Sequence, residues 1–422
     1  MVAGTIIGAS IFVQPSEIAR HLDTPLAIML AWTACGILTL FGAFICAELA
    51  SAFPQTGGVY VFLREAYSPL AGFLWGWAMF WSVHSGIIAA IAVVFARFAV
   101  VLLPEAAQGE AAIRLLSVGV ILVLSGINYA GVRAGSRVQT VLTIVKVAAI
   151  VVLVAAGLAV TTDAPPPVVS ALEADGVTPF ALAMVAGLFA FGGWHMVTYT
   201  AGETTMPART IPVALVAGVA IVTVCYVALN LVYLRLLPLD AVRSSTRIAA
   251  DAADVIFGRG GAQMLSVLVL LSAAGSLTGI ILTGPRMYYS MAQDGLAPRA
   301  LTYVHPRFQT PSRAIAAQAV WASVLAGTGA YRELFTRVIY TEWLFFALMA
   351  AGLFVLRRRP GYHPPYRTWG YPVVPAIFIA VSLFIVLHQF TVDPAEAAIG
   401  LGLVAIGAPV YYYLRHADHR LS

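Results

Sequence analysis

The chain of 422 residues is 60% hydrophobic and only 10% charged, against about 25% charged in an ordinary soluble domain, which excludes a soluble globular protein. Its net charge of +5 does not point to nucleic acid, because the basic residues fall in short loops between apolar runs, where membrane orientation accounts for them. Cys35, Cys46 and Cys225 lie far apart inside apolar stretches, which makes neither a disulfide framework nor a metal site.

In chain order, the stretches that approach the roughly 20 apolar residues of a spanning helix are Met1–Arg20, Leu26–Phe53, Leu70–Leu103, Leu115–Tyr129, Val138–Val160, Phe180–Thr200, Ile211–Leu236, Met264–Tyr289, Ala314–Gly329, Phe335–Leu356, Val373–Phe390 and Ala397–Leu414. They predict an all-α membrane protein with twelve transmembrane helices. Several must tilt or extend beyond the hydrocarbon. The opening stretch lacks the charged n-region of a cleavable signal peptide. Only about a dozen apolar residues precede Gln14-Pro15. The first helix therefore reads as truncated, with a turn or two and a basic tail expected upstream.

Arginine placement sets the predicted orientation. With the amino terminus inside, the inner loops hold Arg64, Arg133, Arg137, Arg209, Arg299, Arg307, Arg313, Arg357, Arg358, Arg359 and Arg367, and the tail adds Arg415 and Arg420. The opposite side holds Arg20, Arg114, Arg235, Arg243, Arg247, Arg259, Arg332 and Arg337, partly balanced by Asp and Glu. The bias places both termini in the cytoplasm of a plasma or inner membrane. The longest outer loops are Thr161–Thr178 and Leu237–Gly261.

The first and sixth stretches are broken near the middle by small residues: Val2-Ala3-Gly4-Thr5-Ile6-Ile7-Gly8-Ala9-Ser10-Ile11-Phe12 and Gly187-Leu188-Phe189-Ala190-Phe191-Gly192-Gly193-Trp194. Gly-interrupted segments in matching halves point to the substrate site of a secondary transporter built from an inverted repeat. Glycine leaves helical geometry most cheaply. Backbone groups freed at membrane depth are tolerated only where they line a cavity or are otherwise satisfied. On this pattern residues 1-160 form one five-helix repeat, 179-356 a second, and 373-414 two accessory helices of a single transporter domain, 1-422.

Consecutive N–H groups around Gly8-Ala9-Ser10 suit a carboxylate at the start of a half-helix, with the Ser10 hydroxyl as a further donor. The carbonyls of Phe189, Ala190 and Gly192 suit a cation such as an ammonium group at the end of one. Together they would read both ends of an α-amino acid without a charged side chain. The competing reading is close helix packing through small residues, for which Gly4 and Gly8 have the right spacing.

Thr5-Ile6-Ile7-Gly8-Ala9-Ser10-Ile11-Phe12 and Phe189-Ala190-Phe191-Gly192-Gly193-Trp194 resemble the first- and sixth-helix signatures of the amino acid–polyamine–organocation superfamily, in particular the L-type amino acid transporters and their bacterial homologues. Ala47-Glu48-Leu49 through Pro54-Gln55-Thr56-Gly57-Gly58-Val59-Tyr60, Gly202-Glu203 through Pro207-Ala208-Arg209-Thr210-Ile211-Pro212, and Pro285-Arg286-Met287-Tyr288 through Asp294-Gly295 extend the likeness in order. The resemblance implies a leucine-transporter-like 5+5 inverted repeat with discontinuous helices one and six and two added helices. It also implies that Ile6, Gly8, Ala9 and Ser10 contact the substrate carboxylate region, and Phe189, Ala190 and Gly192 the amine. The family commonly has Gly where this chain has Ser10, so a side chain narrows the cradle here. Its eukaryotic members join an accessory glycoprotein through an outer cysteine; the loop Pro104–Ala111 has no Cys, so no disulfide-linked subunit is expected.

Lys146 is the only lysine, and by helical rise it sits roughly 10–12 Å past Gln139. A charge at such depth costs about 2.5–3.5 kcal/mol and marks a functional site by default; the alternative is snorkelling of its stem to the interface. In the similar transporters a fifth-helix lysine replaces a bound sodium ion and bridges helices one and eight. Carried over, Lys146 would approach the helix-one carbonyls and the Gly275-Ser276 region. Glu342, in Tyr340-Thr341-Glu342-Trp343-Leu344, reads as a gate or proton carrier, or as a satisfied pair to a neighbouring helix. Glu48 and Glu203 sit at inner helix ends, where a network with Arg286 or Arg209 would close an inner gate, or solvation alone would satisfy them. Trp194 could close over substrate or simply pack. His84 and His195 read as core histidines or proton relays, and His416 and His419 as a weak metal pattern that is set aside.

The function read from the sequence is a permease working by alternating access, with sodium-independent exchange or uniport of neutral L-amino acids. Proton-coupled symport is the near alternative; an ion channel or membrane sensor is the rival from another class. No nucleophile or metal constellation supports an enzyme, and no cofactor, metal or nucleic-acid partner is expected beyond the amino acid substrate and the bilayer. No acidic residue lies beside either break along the chain, which weighs against cationic side chains and polyamines.

Overall fold

The computed structural model describes residues 1–101, 103–104, 108–161, 177–258 and 260–418. Most of the loop Thr161–Thr178, part of Pro104–Ala111, Arg259, His419 and Arg420 lie outside the described residues, as do the side chains of Arg332 and Arg337.

The chain opens with two short helices, α1 (Val2–Ile6) and α2 (Gln14–His21), separated by a 3-10 turn at Ser10–Phe12. α3 (Pro25–Ala52) begins where Thr24 accepts a hydrogen bond from Ala27 N at 3.1 Å, with proline in its first turn; a side-chain cap and a proline that needs no N–H partner start a helix well. The short α4 (Val59–Ala66) follows Gly58 at φ 54°. α5 (Pro69–Ala78), capped by Ser68, runs through a π turn at Met79–Val83 into α6 (His84–Val100). α7 (Glu110–Tyr129), α8 (Val132–Ala159) and α9 (Val177–Ala190) complete the first part, and a 3-10 segment (Trp194–Glu203) leads into α10 (Pro207–Leu236).

Beyond it come α11 (Leu239–Ser244), α12 (Ile248–Phe257), α13 (Gly261–Gln293), α14 (Ser312–Thr328), α15 (Tyr331–Arg357), α16 (Val373–Val392), α17 (Pro394–Ala405) and α18 (Gly407–Asp418). No strand occurs among the described residues. Among the described residues, ten helical stretches are long and apolar enough to cross a membrane. The first expected span is not among them, because its break leaves helices of 5 and 8 residues. α14, at 17 residues, also falls short.

Large apolar side chains such as Leu115, Val213, Val224, Met264 and Val320 are exposed around the perimeter. That much bare apolar surface belongs in lipid, and the chain is a multi-pass membrane protein. α13 is central, with 67% of its apolar window buried against 22% for α7 and for α8. α3 lies against α10 closely enough that a β-carbon at Gly36 would meet Thr223 at 2.2 Å. α1 packs against α8, α10 and α13, and the 3-10 segment against α1, α3, α10 and α13. The two interrupted stretches are thereby brought together in the core. On the face where α2 ends, Arg243 of α11 donates to Ala19 O and Leu22 O, both at 3.0 Å, and pairs with Asp23 at 2.5 Å. Arg20 Nε returns a bond to Arg243 O at 3.0 Å.

Candidate functional site

At the first break Ile7 turns extended (φ −68°, ψ 94°) before the chain coils again at Ser10. At the second, Phe191-Gly192-Gly193 leave the helix through Gly193 at φ 89°, a left-handed conformation that costs an L side chain roughly 1–2 kcal/mol. Thr5 Oγ1 lies 2.8 Å from Val2 O and 3.3 Å from Gly193 O, so its single hydrogen is shared between its own helix and the second break. The Tyr226 hydroxyl of α10 is 3.2 Å from Ile6 O and 3.2 Å from Ala190 O. It stands between the last carbonyls of both half-helices.

Among the described residues, the N–H groups of Gly8, Ala9 and Ser10 make no hydrogen bond; the turn closes one step later, where Phe12 N donates to Ala9 O at 3.1 Å. Gly8 and Ala9 are buried and Ser10 is half-buried, while Phe189 and Gly192 are exposed. Ile6 and Ala9 have buried side chains and Ala190 is buried as well; Ile6 offers the site only its backbone. Phe189 O accepts from Gly192 N at 3.1 Å, and Ala190 O already faces Tyr226. Gly192 O takes no backbone donor. A carbonyl oxygen carries two lone pairs, and Gly192 O has acceptor capacity for an ammonium group. Gly4 follows the packing reading instead: a β-carbon there would stand 2.1 Å from Thr143 Oγ1 of α8.

Lys146 is fully buried and does not snorkel. Its Nζ donates to Gly4 O at 2.8 Å and Ile7 O at 2.5 Å, and lies 3.3 Å from Ser272 O and 3.4 Å from Ser276 Oγ. Two α13 hydroxyls join the same carbonyl group: Ser276 donates toward Ile7 O at 2.9 Å and Ser272 toward Gly8 O at 3.2 Å. Unwinding at Ile7 bares carbonyls at the negative end of α1, and the ammonium of α8 and the hydroxyls of α13 satisfy them. Gly275 lets this happen, since its β-carbon would stand 3.1 Å from Nζ.

Around this centre, Trp194 is buried edge-on to His195, with ring centroids 5.5 Å apart, and against Phe346 at 5.2 Å. Arg286 is buried and donates to Glu203 Oε2 from Nε at 3.1 Å and Nη2 at 2.9 Å. Glu48 does not join that pair. It sits fully buried against Arg357 at 2.9 and 2.5 Å and accepts from Thr368 N at 2.6 Å. Beside them Tyr60 donates to Asp294 at 2.5 Å, and Arg64 pairs with the same carboxylate and with Glu65. Glu342 lies 4.0 Å from His195 Nε2. Cys35, Cys46 and Cys225 are free and buried. No group of three metal-ligating side chains occurs among the described residues.

Sequence reasoning missed Tyr226, Ser272 and Arg357, whose partners lie 220, 264 and 309 positions away along the chain. Their only local signal is a hydroxyl or charge in or beside an apolar run.

The model of the family described as amino acid permease matches residues 1–410. The chain belongs to the amino acid permeases. Similar to it are the serine/threonine exchanger SteT of Bacillus subtilis (strain 168), 30% identical over 98% of this chain and 94% of that one, and the human cystine/glutamate transporter, 29% identical over 98% and 83%. The mouse large neutral amino acids transporter small subunit 2 is 26% identical over 100% of this chain and 80% of its own. This permease is thus a membrane transporter of the amino acid–polyamine–organocation superfamily, and not an enzyme.

Proposed function

We propose that this permease exchanges or uniports neutral L-amino acids without sodium, by alternating access around the two breaks. The observation that carries the reading is the Lys146 ammonium seated on Gly4 O and Ile7 O. A tethered cation fills the position where bare carbonyls at a half-helix end would otherwise draw a metal ion. The substrate carboxylate would take the N–H groups of Gly8, Ala9 and Ser10, with the backbone of Ile6 fixing the cradle. The amine would take the carbonyls of Phe189, Ala190 and Gly192. Amino acid transport is the activity in the names of the relatives, and main-chain recognition of both ends leaves the side chain unread by charge.

On this reading the chain is one domain with twelve membrane-crossing helices. Residues 1-160 and 179-356 are inverted five-helix repeats and 373-414 two accessory helices, with both termini cytoplasmic in a plasma or inner membrane. Trp194 closes over substrate from the second break. Glu203 with Arg286 seals the inner side.

Counterflow in proteoliposomes tests the proposal. A panel of labelled amino acids would be taken up against trapped unlabelled substrate, with choline replacing sodium. Saturable counterflow of neutral amino acids, unchanged by the replacement, is expected. Sodium-dependent uptake would overturn it; flux without saturation would mark a channel, and no flux a sensor.

A further inference from the structure

Behind the second break, buried polar atoms gather that the substrate site does not use. His195 follows Gly193 by two residues and packs edge-on to Trp75 of α5, ring centroids 5.7 Å apart, and to Tyr199 at 5.6 Å. Both ring nitrogens of His195, the hydroxyl of Tyr288 and His84 Nδ1 have no hydrogen-bond partner. Native interiors leave few such atoms unpaired. Glu342 of α15 brings a carboxyl group 4.0 Å from His195 Nε2, and among the described residues no lysine or arginine pairs with it.

Several other titratable groups on the elements packed around this pair have partners of their own. Arg286 is held by Glu203, and Arg64 and Tyr60 by Asp294. Glu48 of α3 is paired with Arg357, Tyr340 of α15 donates to Ala397 O, and Lys146 is held at the first break. Cys46, His84, Tyr199 and Tyr288 are buried and bring no ion pair.

We propose that Glu342 and His195 form a proton-binding site that links the transport cycle to pH. This rests on the transport reading above. Burial favours a ligand as small as a proton: His195 and Tyr199 are fully buried, and Trp194 and Phe346 pack against His195 with ring centroids 5.5 and 5.0 Å away. An unpaired charge in a membrane interior is costly, and a bound proton removes it. The step is one O–H bond formed on Glu342 with a proton from the aqueous phase, and the same bond broken when that proton returns to it. His195 belongs to the broken stretch and Glu342 to a continuous helix, so displacement of the 3-10 segment changes the site.

The test uses the full chain in proteoliposomes. Infrared difference spectra between alkaline and acid buffer should show a carboxylic-acid C=O band that Glu342→Gln removes and His195→Gln shifts. Counterflow of labelled serine should rise with acidification, by at most about tenfold per pH unit for one proton, and lose that dependence in Glu342→Gln. A band that survives Glu342→Gln, or one pH profile shared by wild type and variant, would overturn the site. So would a variant altered only in competition by lysine or arginine, which would make the cluster a side-chain subsite. If Glu342→Gln does not fold, His195→Gln decides: an unshifted band and an unmoved profile reject the proposal. If wild type carries no amino acid, the transport reading falls, while the infrared band still decides whether a proton binds at Glu342.

Discussion

Arg286 spends two donors, Nε and Nη2, on a single carboxylate oxygen of Glu203, at 3.1 and 2.9 Å. The arginine is 2% exposed and the glutamate side chain 33%, so the two partners are unequal in what their loss leaves behind. Removing one partner of a buried pair strands the other charge, at roughly 3–5 kcal/mol. Glu203→Gln, which strands the buried guanidinium, should lower Tm more than Arg286→Gln, which leaves a partly solvated carboxylate. Equal shifts in a thermal scan of the purified protein would count against this ranking.

Lys146→Ala should abolish most exchange, because Gly4 O and Ile7 O lose their ammonium donor. Lys146→Arg should fare little better: a planar fork does not replace a compact charge among several acceptors. Initial counterflow rates normalised to reconstituted protein check both, and wild-type rates in either variant would remove Lys146 from the mechanism.

Tyr226→Phe keeps the ring and deletes the hydroxyl between Ile6 O and Ala190 O. One lost buried hydrogen bond is worth about 0.5–1.5 kcal/mol. A modestly lowered Tm together with a substrate Kd weakened up to about tenfold is expected from a thermal scan and scintillation proximity binding. A large drop in Tm at unchanged affinity would make the hydroxyl structural only.

Gly193→Ala places a β-carbon at φ 89°, where the left-handed conformation costs roughly 1–2 kcal/mol. Gly4→Ala meets Thr143 Oγ1, and overpacking of this kind costs typically about 1–3 kcal/mol. Both should destabilise. The pairing Gly4→Ala with Thr143→Ser should not restore Tm, since Ser keeps the offending oxygen, whereas Thr143→Ala should.

The breaks were legible because glycine clusters stand out in apolar stretches, and Lys146 because a lone lysine at depth has few roles. What lay hidden was pairing across the fold. Glu48 reads as an inner-end carboxylate that Arg286 or Arg209 could meet, yet Arg357 reaches it. No acidic residue adjoins either break along the chain, yet Glu342 arrives 4.0 Å from His195 because α15 packs beside the second break. Two expected spans are not among the ten long apolar stretches of the described residues: the glycines that mark the first site also cut its helix to pieces of 5 and 8 residues, and α14 has 17.

The arginine of α11 grips the last carbonyls of α2 from outside the broken stretch. The short helix α11 and the half-helix that follows Ser10 are therefore mechanically one lever. A binder clamped onto α11 would act as a brake on transport while touching neither substrate nor pore.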